Sequence, residues 1–277
     1  MGFVKNILLL IREQVSESTT YYRQTNNSWV SVHGDKGKLG EYRIFQELKA
    51  LRGHKRFLFN VYIPKEDGST TEIDVILLHE SGVYVFESKN FSGWIFGSES
   101  QKYWTQTLPV GYEKSEKFRF YNPIWQNRRH VKLLRDFLDD PILPLYSYVV
   151  FGGDCELKTH DFGNEKEYIV YLEELFLQIR RNAENLGQQL SLNRIEKLYE
   201  KLYPLTQISE AEKAAHVERI KGFVGTSPGK EGDVCPRCGG KLVRRVATKG
   251  ERRGKSFLGC SNYPNCHYMA DHENKGV

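Results

Sequence analysis

The 277-residue chain lacks an apolar stretch of the length a bilayer requires. Its N-terminal run from Ile7 to Ile11 is far too short to span one, and it has neither the length nor the cleavage site of a secretion signal. The expectation is a cytoplasmic protein with no membrane partner. Internal repeats and long low-complexity tracts are also missing, and 27% charged with 39% hydrophobic residues gives no bias towards disorder. Cysteine is nearly absent until the tail, with Cys155 the one exception, and excess charge is absent there too. Residues 226–277 hold 10 Lys or Arg against 5 Asp or Glu, which accounts for the whole net charge of +5. Positive charge confined to one module is a footprint for a polyanion, and cysteines gathered in a chain without export signals argue for metal over disulfides.

What is present centres on Thr71 to Asn90, TEIDVILLHESGVYVFESKN. Two runs rich in Val, Ile, Tyr and Phe flank Ser81-Gly82, which reads as the turn of a hairpin. With those two residues as the loop, Asp74 falls opposite Lys89 and Ile76 opposite Glu87, so Asp74, Glu87 and Lys89 share one face. Ile73, Val75, Leu77, Tyr84 and Phe86 then lie on one side, and Ile76, Leu78, Val83 and Val85 on the other. Apolar residues on both faces mark a central pair covered on both sides. Two acids and a Lys on a covered face suit a hard divalent cation beside a base or charge stabiliser. A salt-bridged surface hairpin is the alternative reading of the same residues.

Two further residues point the same way. The helix expected within Gly34 to Leu51 carries Ile44, Phe45, Leu48 and Leu51 at helical spacing, and Glu41 projects into that apolar arc, where either the same cluster or helix-end electrostatics accounts for it. Asn122-Pro123 is a helix start, and Gln126 in that helix points inward, towards a polar site or towards backbone groups. Strands are expected at Phe57 to Pro64, Trp94 to Gly97, Tyr103 to Leu108 and Tyr146 to Gly153, and helices at Tyr171 to Asn182 and Ser191 to Leu205. The order gives a mixed α/β core with helices on both faces. The expected division is a helical and polar extension over 1–33, a first domain over 34–205, a helix and linker over 206–233, and a small metal domain over 234–270. Within the linker, Ser209 and Glu212 form a capping box.

In that last segment Cys235 and Cys238 form C-x2-C, and Cys260 and Cys266 form C-x5-C after 21 intervening residues. Two such knuckles close a tetrahedral all-thiolate site for structural Zn2+, whose binding supplies much of the folding free energy of so small a domain. Arg244, Arg245, Lys249, Arg252, Arg253 and Lys255 are interleaved with Phe257 and followed by Tyr263 and Tyr268. Cations that follow phosphates, with rings that stack on bases, suit DNA or RNA, especially a single strand or a distorted duplex. A ribbon that docks another protein, such as a helicase or polymerase, is the alternative.

Cys235 to Cys266, with CPRCGG, a basic stretch, GKSFLGC and YPNC, resembles the C-terminal four-cysteine zinc fingers of type IA DNA topoisomerases, which implies DNA binding. Upstream, GDKGKLGEYRIFQELKAL, TEIDVILL, GVYVFESKN and NPIWQNRRH in that order resemble the nuclease-related domain (NERD), a relative of restriction-type nucleases of the PD-(D/E)-x-K class. The resemblance implies a restriction-endonuclease-like mixed sheet flanked by helices. It places Glu41 at the acid of the first helix, Asp74 at the strand acid, Glu87 and Lys89 at the E-x-K, and Gln126 at the polar residue of the next helix. Glu72-Ile73-Asp74 stands where the commonest motif has Pro-Asp. The implied site holds Mg2+ or Mn2+ on Asp74 and Glu87, helped by Glu41, with Lys89 and Gln126 acting on water or phosphate. The expected function is a Mg2+-dependent DNA endonuclease or nickase. A DNA-processing accessory protein that grips without cutting is the rival.

Overall fold

The computed structural model describes residues 19–110, 114–153, 155–158, 167–209, 211–213, 231–232, 241–247, 254, 256–261, 263 and 269–270. The chain divides into two compact units, 1–208 and 209–277. No helix among the described residues is long and apolar enough to cross a membrane.

The first unit opens with three helices, α1 (Thr20–Thr25), α2 (Trp29–Gly34) and α3 (Lys36–Leu48). Ser28 and Asp35 cap the second and third by accepting from Ser31 N and Lys38 N. The polar stretch before Gly34 thus becomes helix, and Tyr21, Tyr22 and Val32 lie in the core. Five strands form the central sheet: β1 (Lys55–Pro64), β2 (Thr70–His79), β3 (Gly82–Asn90), and, further along, Leu145–Gly152 and Glu167–Tyr171. The first three run antiparallel, and the last two add parallel to β3 in turn. Between β3 and the fourth strand of that sheet the chain builds a second one from β4 (Gly93–Phe96), β5 (Tyr103–Pro109) and β6 (Ser115–Tyr121), then helix α4 (Pro123–Leu138). The parallel strands are accordingly β7 (Leu145–Gly152) and β9 (Glu167–Tyr171), with β8 (Cys155–Leu157) joining the edge of the second sheet. Helices α5 (Leu172–Leu186) and α6 (Leu192–Leu202) complete the unit.

The helices cover both faces of the central sheet. On one face Ile44, Leu48 and Ile179 pack on Phe59, Val75, Tyr84 and Phe86. On the other Leu134, Ile195 and Leu198 pack on Ile76, Leu78, Val83 and Val85. This is the mixed α/β architecture expected from the order of elements, and the restriction-endonuclease-like fold that the resemblance implies. Strands β6 and β9 escape the sequence reading because SEKFRFY alternates with charge and EYIVY runs directly into a helix.

The hairpin register differs from the expected one. His79 pairs with Gly82 and Val75 with Phe86, so the loop is Glu80-Ser81 and β3 begins at Gly82. Gly82 has φ 140, and a Cβ there would strike the Tyr146 ring, so the first residue of β3 has to be glycine. The register is two residues from the expected one. Side chains alternate with period two, so a two-residue slide leaves Ile76, Leu78, Val83, Val85, Glu87 and Lys89 on a common side.

A second difference lies in the neighbouring pair. Phe59 opposes Val75 and Val61 opposes Ile73, with Asn60 and Asp74 skipped between them. Asn60 adopts the left-handed conformation at φ 51, which Asn tolerates better than most residues. The strands turn over at that point. Phe59 and Val75 belong to one core, whereas Val61 and Ile73 belong to the other. Ile73 therefore lies opposite to its expected side, and Asp74 sits at the crossover.

In the second unit Ser209 and Glu212 form the reciprocal capping box, Ser209 N donating to the Glu212 carboxylate and Glu212 N to Ser209 Oγ. Strands β10 (Leu242–Val246), β11 (Ser256–Cys260) and β12 (Met269–Ala270) form a three-stranded antiparallel ribbon.

Candidate functional site

Three elements converge on Asp74. Helix α3 approaches β3 closely at Gly40, where a Cβ would overlap Ser88 Oγ, and this brings the next residue, Glu41, to the sheet. Glu41 is buried and accepts from Tyr21 Oη at 3.3 Å. It lies in the second turn of α3, whose first turn contains no acid, so helix-end electrostatics does not explain it. Burial, with Asp74 and Glu72 nearby, pushes its carboxyl well above the usual range, partly offset by Asn60 and Tyr21.

Asp74 accepts from the Ser88 amide at 2.8 Å. Burial and the charge of Glu87 push it up to about 7, against the pull of Lys89 and the Ser88 amide. Glu87 is 1% exposed. One of its oxygens accepts from Lys89 Nζ. Its Oε2 makes no hydrogen bond and lies 3.4 Å from His130 Nδ1. Burial raises Glu87, and Lys89 offsets part of that rise. Burial also works against the charge on Lys89, but Glu87 and Asp74 outweigh it and hold the ammonium protonated. Lys89 further donates to Gln126 Oε1 at 3.3 Å.

Helix α4 is held in place by two asparagines. Asn122 caps it, accepting from Ile124 N and Trp125 N, and its amide donates to the carbonyls of Ser98, Glu99 and Gln101. Asn127 donates to Val85 O, Ser147 Oγ and Tyr148 O, fastening the helix to β3 and β7. Gln126 and His130, one turn apart, are thereby presented to β3.

Of the five residues expected at the site, Glu87, Lys89 and Gln126 are joined through the Lys89 ammonium, and the charge of Asp74 acts on both Glu41 and Lys89. The charges of Asp74 and Glu72 raise Glu41, and that of Glu87 raises Asp74. Among the described residues no three His, Cys, Asp or Glu side chains close round a point that could hold an ion as they stand. Sequence reading missed His130, taken as helix lining. Its i, i+4 relation to Gln126 was the available signal. It also missed Glu72, which accepts from Tyr62 Oη at 2.9 Å and Asn60 Nδ2 at 3.1 Å.

A family profile for the nuclease-related domain matches residues 36–152. An uncharacterized protein of Bacillus anthracis is 36% identical over 152 residues, 54% of this chain and 69% of that protein. The chain carries a nuclease-related domain. The matched region of the nuclease-related domain begins with α3 and ends with β7, and so contains every expected site residue together with His130.

Behind the nuclease-related domain, a profile for the topoisomerase DNA binding C4 zinc finger matches residues 232–275. DNA topoisomerase 1 of two Helicobacter pylori strains is 44% and 43% identical over 45 and 44 residues, 16% of this chain. The chain spans 5% of the length of those two enzymes, so the likeness is to the finger alone. No solved structure gives a significant match.

Within the ribbon Cys260 ends β11 and is buried. Cys235, Cys238, Cys266, Lys249, Arg252, Arg253, Lys255 and Tyr268 lie outside the described residues. Arg244 pairs with Glu231 at 3.2 Å. Arg245 opposes Phe257 and lies over the exposed Tyr263 ring at 5.4 Å, which puts one cation and two rings together.

Proposed function

We propose that the chain is a metal-dependent DNA endonuclease or nickase whose C-terminal finger grips the substrate. The observation that carries this reading is the buried set of Glu41, Asp74 and Glu87 beside a protonated Lys89. Carboxyl groups raised by burial and by one another are costly for the fold, and a hard cation relieves that cost. The donor set is all oxygen, and Glu87 Oε2 has no hydrogen bond to lose. Both suit Mg2+ or Mn2+ held by Asp74 and Glu87 with help from Glu41. Bound there, such an ion supplies charge against the phosphodiester oxygens and lowers the pKa of its water.

The chain's own groups divide the remaining work. Lys89, charged and held between Glu87 and Gln126, offsets negative charge at the phosphorus and orients the attacking water. Gln126 positions water or phosphate through its amide. In the finger, four thiolates from Cys235, Cys238, Cys260 and Cys266 hold Zn2+ as a structural ion, and the basic residues between them follow the DNA backbone. Nicking of supercoiled plasmid in Mg2+, present in the wild type and lost in Asp74→Asn, tests the reading.

One observation favours the rival, a DNA-binding accessory protein. The three acids do not close into a ligand set, and a domain can keep such residues while only holding DNA. Absence of nicking in Mg2+ and in Mn2+, with DNA affinity retained, selects that reading.

A further inference from the structure

The second sheet of the first unit, ordered β6-β5-β4-β8, has two unlike faces. Its inner face turns Ile95 and Trp104 into the core, where the Trp104 ring stacks on Phe151 at 6.2 Å. The register gives the opposite face, on which Thr107 is itself buried between its neighbours. Trp94 pairs with Thr107, which pairs with Lys117; Phe96 pairs with Thr105, which pairs with Arg119. Period-two alternation places Tyr103 on the same side as Thr105 and Thr107. Trp94, Phe96 and Tyr103 are 42%, 44% and 38% exposed, unusual for three large rings on one face of a sheet.

Cations accompany the rings. Lys158 lies over Trp94 at 5.8 Å and Arg119 over Tyr103 at 5.0 Å. Glu156, beside Trp94 on this face, is paired with Lys158, while Lys117 and Arg119 have no carboxylate partner among the described residues. An apolar docking face for a protein would carry rings without this positive rim. Rings for stacking, interleaved with cations for phosphates, are the composition that unpaired nucleic acid recognises. The sheet also adjoins the acids in the chain. Strand β4 begins a few residues after Lys89, and β6 leads through Asn122 into the helix that carries Gln126.

The geometry points to this outer face, built on Trp94, Phe96, Tyr103, Lys117, Arg119 and Lys158, as a stacking platform for an unpaired nucleic-acid strand. The inference rests on the reading of the chain as directed to nucleic acid, and supplies a contact for the strand separate from the finger. Trp94 and Phe96, two residues apart on one strand, stand about 7 Å from each other, so that successive splayed bases meet successive rings. Lys117 and Arg119 continue each row towards the edge of the sheet, where the backbone would run.

The test uses the full-length chain carrying Asp74→Asn, so that cutting does not interfere, and a short oligothymidylate containing 5-iodouracil. Irradiation and peptide mapping are expected to place cross-links on Trp94, Phe96 or Tyr103. Trp94→Ala/Phe96→Ala is expected to weaken binding of the fluorescent strand about tenfold or more, with affinity for a blunt duplex of equal length unchanged. Lys117→Glu/Arg119→Glu is expected to reduce the slope of log affinity against log salt by about 1 to 2. All of these side chains are exposed, and the cross-link map in the otherwise native chain does not depend on how the variants fold. Cross-links confined to the finger, with unchanged affinity in both variants, overturn the proposal. A wild-type chain that never nicks but still cross-links at β4 or β5 removes the catalytic reading and supports this one.

Discussion

The two sides of the central sheet treat buried charge differently. On the α3 side Glu41 and Glu72 accept from neutral donors, Tyr21, Tyr62 and Asn60. On the α4 side Glu87 meets Lys89 and His130. Asp74, at the strand crossover, touches both. Glu41, Asp74 and Glu72 repel one another, which an added cation would relieve, whereas Glu87 already holds Lys89, where a phosphate would otherwise face bare carboxylates. With Asp74 and Glu87 as the proposed metal ligands and Glu41 helping, the acids of both sides would serve the metal and Lys89 would meet the charge of the substrate.

The largest effect expected from breaking this division is on cleavage. Asp74→Asn removes the acid common to both sides, and plasmid nicking in Mg2+ should fall by at least about a hundredfold, the scale on which loss of a metal-polarising ligand acts. The same change should raise the melting temperature of the metal-free protein, because a carboxyl held up to about 7 opposes folding at pH 8. Loss of activity with loss of fold would break the account.

Next in size is Lys89→Met. It leaves Glu87 buried without its cation, which costs about 3–5 kcal/mol in comparable buried pairs. Chemical denaturation should show most of that stability restored in the double change Glu87→Gln/Lys89→Met. If the single change is as stable as wild type, the pairing on the α4 side contributes nothing.

A pH dependence follows from Asp74 with a definite sign. Its folded pKa of about 7 lies above the ordinary carboxylate value, so between about 4 and 7 the folded state holds a proton that the unfolded state has lost. Stability without divalent metal therefore falls as pH rises through that window and levels off above it. The difference in denaturation midpoint between wild type and Asp74→Asn, followed from pH 4.5 to 8, should grow with pH. A flat difference would contradict the raised value.

Smallest is Glu41→Gln, which removes one repelling charge from the α3 side while keeping the hydrogen bond from Tyr21. Thermal denaturation in chelator should show a modest gain in stability, and the concentration of Mg2+ needed for nicking should rise. An unchanged Mg2+ requirement would remove Glu41 from the metal site.

Much of this was legible in the sequence, for reasons that also explain what was not. Glu87 and Lys89 share a side because parity alone decides it, while the Glu80-Ser81-Gly82 run, turn-compatible throughout, leaves the loop position open by two residues. Asn122-Pro123 announces a helix start by local chemistry, and Asn122 accepts from the first amides as expected. The turn-over at Asn60 was not legible, because an Asn in an apolar strand signals many things and its left-handed φ depends on the packing of both cores. His130 was missed because a His on an amphipathic helix most often lines it. Only the position of β3 shows that its ring faces Glu87.

The account turns on whether Glu41, Asp74 and Glu87 act together on one hard cation. Thermal denaturation of the full-length chain at pH 8, in chelator against millimolar Mg2+ or Ca2+, which thiolates of the finger do not prefer, reads this directly. Stabilisation of wild type by either ion, absent in Asp74→Asn and weakened in Glu41→Gln, is the predicted result. Equal melting temperatures with and without the ions, in wild type as in the variants, would contradict it.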